Sequence, residues 1–374
     1  MSEQRRSGAG RSAAWAPKIR RGPSGRASKG LAVVAFVALL LGAACTRSTA
    51  SGSGGGTPDQ IYAAGPTVSD VRSALGSDTW WPATPSFRIR PLGLPTMSDL
   101  VRFGITQHFI HVGSSEQLVA DYSVWSSTTY ATLLVTVITS QVTPMTGPRV
   151  GDQSVYWGTK SPTDSALFDT SALIRQGQVT IELDVTRGAG YVDTKQMGQL
   201  GTRLVNKLKN ALKGTVRPST LSPDDVKLLL PLGTDVTLAA AVRLPIEAAA
   251  LLLGATSPQD VVDQFTKLNV KDFLYGDYAL NADLNMEVRA TVFSFSSPAD
   301  ATSWADLAIG AGNLDAQGVA SGYAASIGEY FAFILSGSHI GLLFCNSLSP
   351  YEAASRACEA PLASLIGAWQ TRLA

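Results

Sequence analysis

The chain is short of the residues most used for catalysis and metal binding. Histidine occurs three times, as His108, His111 and His339, and cysteine three times, as Cys45, Cys345 and Cys358. A Ser-His-Asp or Cys-His site needs one of those histidines beside a nucleophile on a sharp turn. No Gly-x-Ser-x-Gly elbow occurs, and neither Cys345 nor Cys358 has a recognisable nucleophile context. His108 and His111 stand at i, i+3 and would share one face of a helix, but zinc wants three or four ligands and only Glu116 follows, at a distance. Within Phe103–Val112 the two read better as partly buried residues with a polar tip. Phosphate-cradling loops and dinucleotide fingerprints are missing as well. Gly151-Asp152 and Gly328-Glu329 read as turns before strands, with glycine relieving the backbone, and not as acidic sites. The expectation is a protein that is not an enzyme and carries no metal and no cofactor; a hydrolase without a recognisable motif is the outlying alternative.

An excess of positive charge is missing too. The chain holds 30 Lys+Arg and 29 Asp+Glu, but eight of the basic residues and one acid fall in residues 1–44, leaving 22 against 28. Binding nucleic acid needs clustered Lys and Arg to displace counterions, and no such block follows the leader, so nucleic acid is excluded as a partner.

Long apolar runs are few. Residues 1–29 carry Arg5, Arg6, Arg11, Lys18, Arg20, Arg21, Arg26 and Lys29 against Glu3; the uncharged run Leu31–Leu41 follows and ends in Gly42-Ala43-Ala44-Cys45. A basic region, a short apolar core and small residues at a cleavage point form a secretory signal, here 1–44. The run falls short of the roughly 20 residues needed to span a bilayer. A polar, Gly/Ser-rich stretch, 45–59, then reads as a flexible tether. Small residues followed at once by cysteine resemble the lipobox of bacterial lipoproteins, in which the thiol takes a diacylglycerol before cleavage. The resemblance implies lipidation at Cys45 and a place on the extracytoplasmic face of the cell membrane. One departure is that the family prefers Leu three residues before the cysteine, where this chain has Gly42. Without lipidation the chain would be a soluble secreted protein. Arg20-Arg21 leaves the export route, Sec or twin-arginine, open.

The second apolar run, residues 239–254, contains Arg243, Pro245 and Glu247, each expensive or disruptive in lipid. It reads as a strand end, a turn at Pro245 and a helix that is buried or lines a groove with Trp80 and Trp81.

After the leader, about 330 residues exceed what one core usually serves, so two domains are expected. An internal repeat supports this. Ser69-Asp70-Val71-Arg72 recurs as Asp224-Asp225-Val226-Lys227, Asp121-Tyr122 as Asp277-Tyr278, and Val135-Thr136-Val137 as Ala290-Thr291-Val292. Val150-Gly151-Asp152-Gln153 recurs as Ile327-Gly328-Glu329-Tyr330. Each copy opens with short helices, continues in period-two segments and closes with an apolar-striped helix. The expected segments include strands over 122–125, 131–139, 153–158 and 173–185 in copy one, and 277–280, 286–295 and 330–344 in copy two. A helix at 298–307 is expected in copy two, and copy one is expected to lack or shorten it. The fold class is therefore α+β: two similar domains, 60–213 and 222–374, each an antiparallel sheet with helices packed on one face.

Gly151-Asp152-Gln153 before a strand, the Arg175-Gln176-Gly177-Gln178-Val179 hairpin and the closing helix make the layout similar to exported actinobacterial lipoproteins of undetermined role, which carry a lipobox and a duplicated α/β unit. That resemblance implies an envelope protein and supplies no catalytic residues.

Two features remain. Cys345 and Cys358 form a pair once Cys45 is set aside, and a helix packed back over its preceding strand brings them within bonding reach, so a disulfide is expected. Two buried free thiols are the alternative. Trp80-Trp81, with Pro82 and Pro85 close by, is the most unusual local feature; large rigid rings suit ligand surfaces and plug core edges equally well. As a ligand surface it would draw on Trp80, Trp81, Trp125 and Trp157, in a groove between the domains. The expected partners are the membrane, through the lipid anchor, and a small molecule, lipid or wall component in that groove. The alternative is an assembly or signalling role in which another envelope protein docks on an exposed face.

Overall fold

The computed structural model describes residues 56–77, 79–88, 100–160, 164, 166–216, 221–233, 235–253, 257–283, 285–324, 328–347 and 356–374. The expected leader, Cys45 and most of the tether lie outside the described residues.

Helices α1 (Pro58–Ala63) and α2 (Val68–Leu75) open the fold, each behind a complete capping box, Thr57 with Gln60 and Thr67 with Asp70. Such boxes satisfy two of the amides that a helix start leaves orphaned. Strands β1 (Trp80–Pro82), β2 (Ser86–Arg88), β3 (Val101–His111) and β4 (Gln117–Trp125) follow, then helix α3 (Thr128–Gln141), strands β5 (Gln153–Lys160), β6 (Phe168–Gln176) and β7 (Val179–Arg187), and helix α4 (Thr194–Leu212). Their sheet is antiparallel in the order β1-β3-β4-β7-β6-β5, with β2 also paired to β3.

The second half repeats the plan. Helix α5 (Pro223–Leu228) has its own capping box, and strand β8 (Val236–Pro245) is followed by α6 (Glu247–Leu252) and α7 (Pro258–Lys267). Next come β9 (Asp272–Leu280), β10 (Met286–Ser294), α8 (Pro298–Ile309), β11 (Val319–Ala324), β12 (Glu329–Ser336), β13 (His339–Ser347) and α9 (Glu359–Leu373). Here the antiparallel order is β11-β12-β13-β10-β9-β8. Read from β3 or from β9, both sheets have the same succession: hairpin, helix, three strands, closing helix. The fold is α+β, with two similar antiparallel units.

The helices occupy both faces of each sheet. In β6, Ala172 and Ile174 bury with α4, while Leu173 buries with Val135 of α3. In the second sheet Val288, Leu343 and Cys345 face α9, and Phe293 and Phe333 face α8.

Strand order corrects the repeat's register. Val135 lies in helix α3 and Val292 in strand β10, so those two segments do not correspond. The β-branched run Val135–Thr139 suits a strand locally. Ser127, however, caps the segment through Tyr130 N, and Leu134, Val135 and Ile138 form one stripe on Val155, Trp157 and Leu173. Tertiary burial overrides propensity there. By strand order the partner of α3 is α8, so copy one does not lack that helix. Asp121 on β4 and Asp277 on β9 likewise stand one strand out of step, as do Gly151 before β5 and Gly328 before β12. The insertion of α6 and α7 between β8 and β9 sets the Asp121 and Val135 matches one element early, whereas the Gly151 match falls one strand late.

Candidate functional site

Where the two halves meet, the chain buries charge. Period-two alternation along β10 sends Glu287, Arg289, Thr291 and Phe293 to one face, and the ladders set Asp277 opposite Arg289, Tyr275 opposite Thr291 and Asn346 opposite Glu287. One end of this face is aromatic, with Phe273 against Phe293 at 5.1 Å and Phe293 against Trp304 at 5.7 Å. The other end is polar, and strand β2 of the first sheet lies across it. Phe87 N donates to Asp277 Oδ2 at 2.6 Å, Ser86 Oγ to Glu287 Oε1 at 2.8 Å, and Tyr275 Oη to the carbonyl of Pro85 at 2.8 Å. Inside the sheet, Asn346 Nδ2 donates to Glu287 Oε2 at 3.3 Å, and Arg289 Nε donates to Asn346 Oδ1 at 3.0 Å. Arg289 also reaches Glu329 Oε1 at 3.4 Å and lies over the Phe344 ring at 5.8 Å.

Among the described residues Arg289 thus pairs with Glu287 and Glu329 and stands opposite Asp277, in a dry setting: Asp277 is 1% exposed, Glu287 6% and Glu329 6%. Burial first, and then the charge and hydrogen bond of Glu287, push Asp277 well above the usual carboxylate range; the Phe87 amide and Arg289 only partly offset this. Burial opposes the charge on Arg289, yet Glu329 and Glu287 outweigh it and hold the guanidinium charged. Burial, followed by the charges of Asp277 and Glu287, raises the Tyr275 hydroxyl well above its ordinary value. The carboxyl of Asp277, the guanidinium of Arg289 and the phenol of Tyr275 form a holding arrangement: each polar atom named above points at a protein partner.

The tryptophans are placed elsewhere and apart. Trp80 is fully buried, donates from Nε1 to the Gly76 carbonyl at 3.2 Å and stands edge-on to His111 at 5.3 Å. Trp81 is buried, with Arg72 over its ring at 5.9 Å. Helix α6, from the run at 239–254, packs on β1, so the two segments expected to line a groove do meet. They meet as core, with Ala249 fully buried. Trp125 donates to Thr180 Oγ1 at 2.9 Å, and Trp157 belongs to the α3 cluster on the far side of the first sheet. The four do not converge on one surface.

Cys345 and Cys358 are disulfide-bonded, with α-carbons 6.1 Å apart. His108 and His111 sit on strand β3, where i and i+3 point to opposite faces. His111 bonds Thr79 Oγ1 at 2.8 Å and Ser114 Oγ at 2.9 Å, while burial lowers the affinity of His108 for a proton. His339 Nδ1 meets the Leu373 carbonyl at 3.1 Å. Among the described residues no group of three or more His, Cys, Asp or Glu is placed to hold a metal. Asp152 does the work of a turn: it accepts from Gly177 N at 2.8 Å and from Arg175 Nη1 at 3.1 Å, bracing the β6–β7 hairpin. Glu329, read from sequence as the matching turn residue, instead enters the buried cluster. Sequence reasoning passed over Glu287, Arg289 and Asn346. The available signal was a Glu-x-Arg pair at strand spacing inside the otherwise apolar run Met286–Phe293.

No protein-family model matches the sequence, and no curated protein matches it. Among solved structures, the extracellular domain of PknH from Mycobacterium tuberculosis aligns with a TM-score of 0.34 and 12% identity, over 42% of this chain and 100% of that one. A similarity that slight carries neither fold nor function across.

Proposed function

We propose that this chain is an exported envelope lipoprotein, cleaved before Cys45 and held at the outer face of the membrane by lipid on that cysteine. Its two-sheet body acts without catalysis, as a docking module for another envelope protein. The observation that carries the compartment is a combination. A basic leader, an apolar core and Ala43-Ala44-Cys45 precede a folded body containing a Cys345–Cys358 bond, and such bonds persist outside the reducing cytosol. Docking is favoured over a small-molecule groove by the junction itself. Trp80, Phe87 and Ala249 fill it as core, and Pro85 with Ser86 and Phe87 of β2 closes it with three hydrogen bonds. Substituting Cys45→Ala tests the anchor: the chain should leave the membrane fraction for the soluble one. Unchanged membrane association, with no acyl mass on the N-terminal peptide, refutes the lipoprotein reading. Cross-linking on native membranes tests the docking, with one specific protein adduct expected. A co-purifying small molecule in place of an adduct would return the reading to a ligand-binding protein.

A further inference from the structure

We propose that the contact between strand β2 and the second sheet is a proton-operated joint, in which Asp277 and Glu287 share one proton while β2 is docked and release β2 when that proton is lost.

The geometry supplies each part. Both carboxyls are held by β2 itself, Asp277 through the Phe87 amide and Glu287 through the Ser86 hydroxyl, so neither can turn away without breaking the contact. Phe87 is 5% exposed and seals them from water, backed by the Tyr62 ring at 5.7 Å. Among the described residues the charged and titratable groups on this face are Tyr275 and Asp277 from β9, Glu287 and Arg289 from β10, and Glu329 from β12; β13 contributes the neutral Asn346. Arg243 of β8 is on the other face, engaged with Asp225 and Asp272. Arg88, next along β2, is ion-paired with Asp121 of the first sheet. Among the described residues Arg289 is the guanidinium on this face, and it pairs with both Glu287 and Glu329 while donating to Asn346. Asp277 stands opposite Arg289, and Glu287 is two residues from Arg289 on the same face, so one proton held between the two carboxyls removes their like-charge conflict. When solvent base takes it, the second charge needs water, which enters only if β2 lifts. Strand β2 has three residues and is tied along its other edge to β3, so it leaves with the first sheet.

Amide hydrogen exchange of the full-length chain over a pH series, corrected for the intrinsic rate, tests the joint. Protection of the Phe87 amide should fall with rising pH, by about tenfold per pH unit while the proton is being lost, as one linked proton requires. Amides of helix α4 should stay flat over the same series. Asp277→Asn keeps an Oδ1 acceptor for Phe87 N–H and cannot ionise, so its Phe87 protection should vary less than about twofold. Should that variant fail to fold, Glu287→Gln keeps the acceptor for Ser86 and removes the second charge, with the same flattening expected. A pH-independent Phe87 amide in the unsubstituted chain, or an unchanged slope in whichever variant folds, overturns the proposal.

Discussion

Asp70 and Asp225 close the same capping box in the two halves of the chain. Each accepts the backbone amide of its own N-cap residue, Thr67 or Ser222, and each is held by a cation from a later element, Lys207 or Arg243. Burial pushes both carboxyls upward, but the hydrogen bonds from Lys207 and Thr67, and from Arg243 and Ser222, outweigh it and leave both below their ordinary value of 3.8.

That arrangement fixes an acid-side dependence. A carboxyl with a lowered folded pKa stabilises the fold above its unfolded value, and the contribution is lost as pH falls through the folded one. Replacing Asp225, which is 6% exposed, by Asn should lower stability near neutral pH by about 1.5–3 kcal/mol, the range for hydrogen bonds to charged groups. Urea melts at neutral and strongly acid pH check this. The difference from the unsubstituted chain should shrink once pH is below 3.8.

Asp277 carries the opposite sign. Its folded pKa is raised, so the native state binds the extra proton between 3.8 and the folded value, and stability falls as pH rises through that window. Asp277→Asn should therefore melt above the unsubstituted chain on the alkaline side and converge with it in acid. Thermal melts across pH measure the crossing.

Trp80 and Trp157 are core, and truncating them should register in stability. Trp80→Ala should cost about 3–5 kcal/mol by chemical denaturation, as large-to-small changes at fully buried aromatics do. A Trp80→Ala protein with unchanged stability would contradict the packing described here.

Opening the Cys345–Cys358 bond, which closes a sequence separation of 13, should cost roughly 3 kcal/mol on the chain-entropy account. Alkylation of the unreduced protein should leave both thiols unmodified. Copy one has no such bond, so reduction should loosen the second sheet and its helix α9 first, a difference that exchange protection of α9 against α4 will reveal.

How far the sequence was legible follows from where the deciding interactions lie. The short opening helices, the hairpin turning at Gly177, the strand and helix about Pro245 and the closing helices rest on local signals, and all of them formed as read. The repeat in Asp70 and Asp225 was legible because both copies open with the same box before anything intervenes. Beyond β8 the match misled, since α6 and α7 lengthen the second copy and set strands against the wrong partners. Val135–Thr139 misled for a related reason: a β-branched run becomes a helix when its stripe finds Trp157 and Leu173. The buried Asp277–Glu287–Arg289 cluster was the least visible, because β2 reaches it from far away in sequence and through a backbone amide, which no residue type announces.

The intact mass of the chain extracted from membranes tests the central claim most directly. An N-terminus at Cys45 bearing a diacylglycerol is the predicted result. A chain still carrying residues 1–44, or one cleaved elsewhere with no acyl mass, contradicts the account.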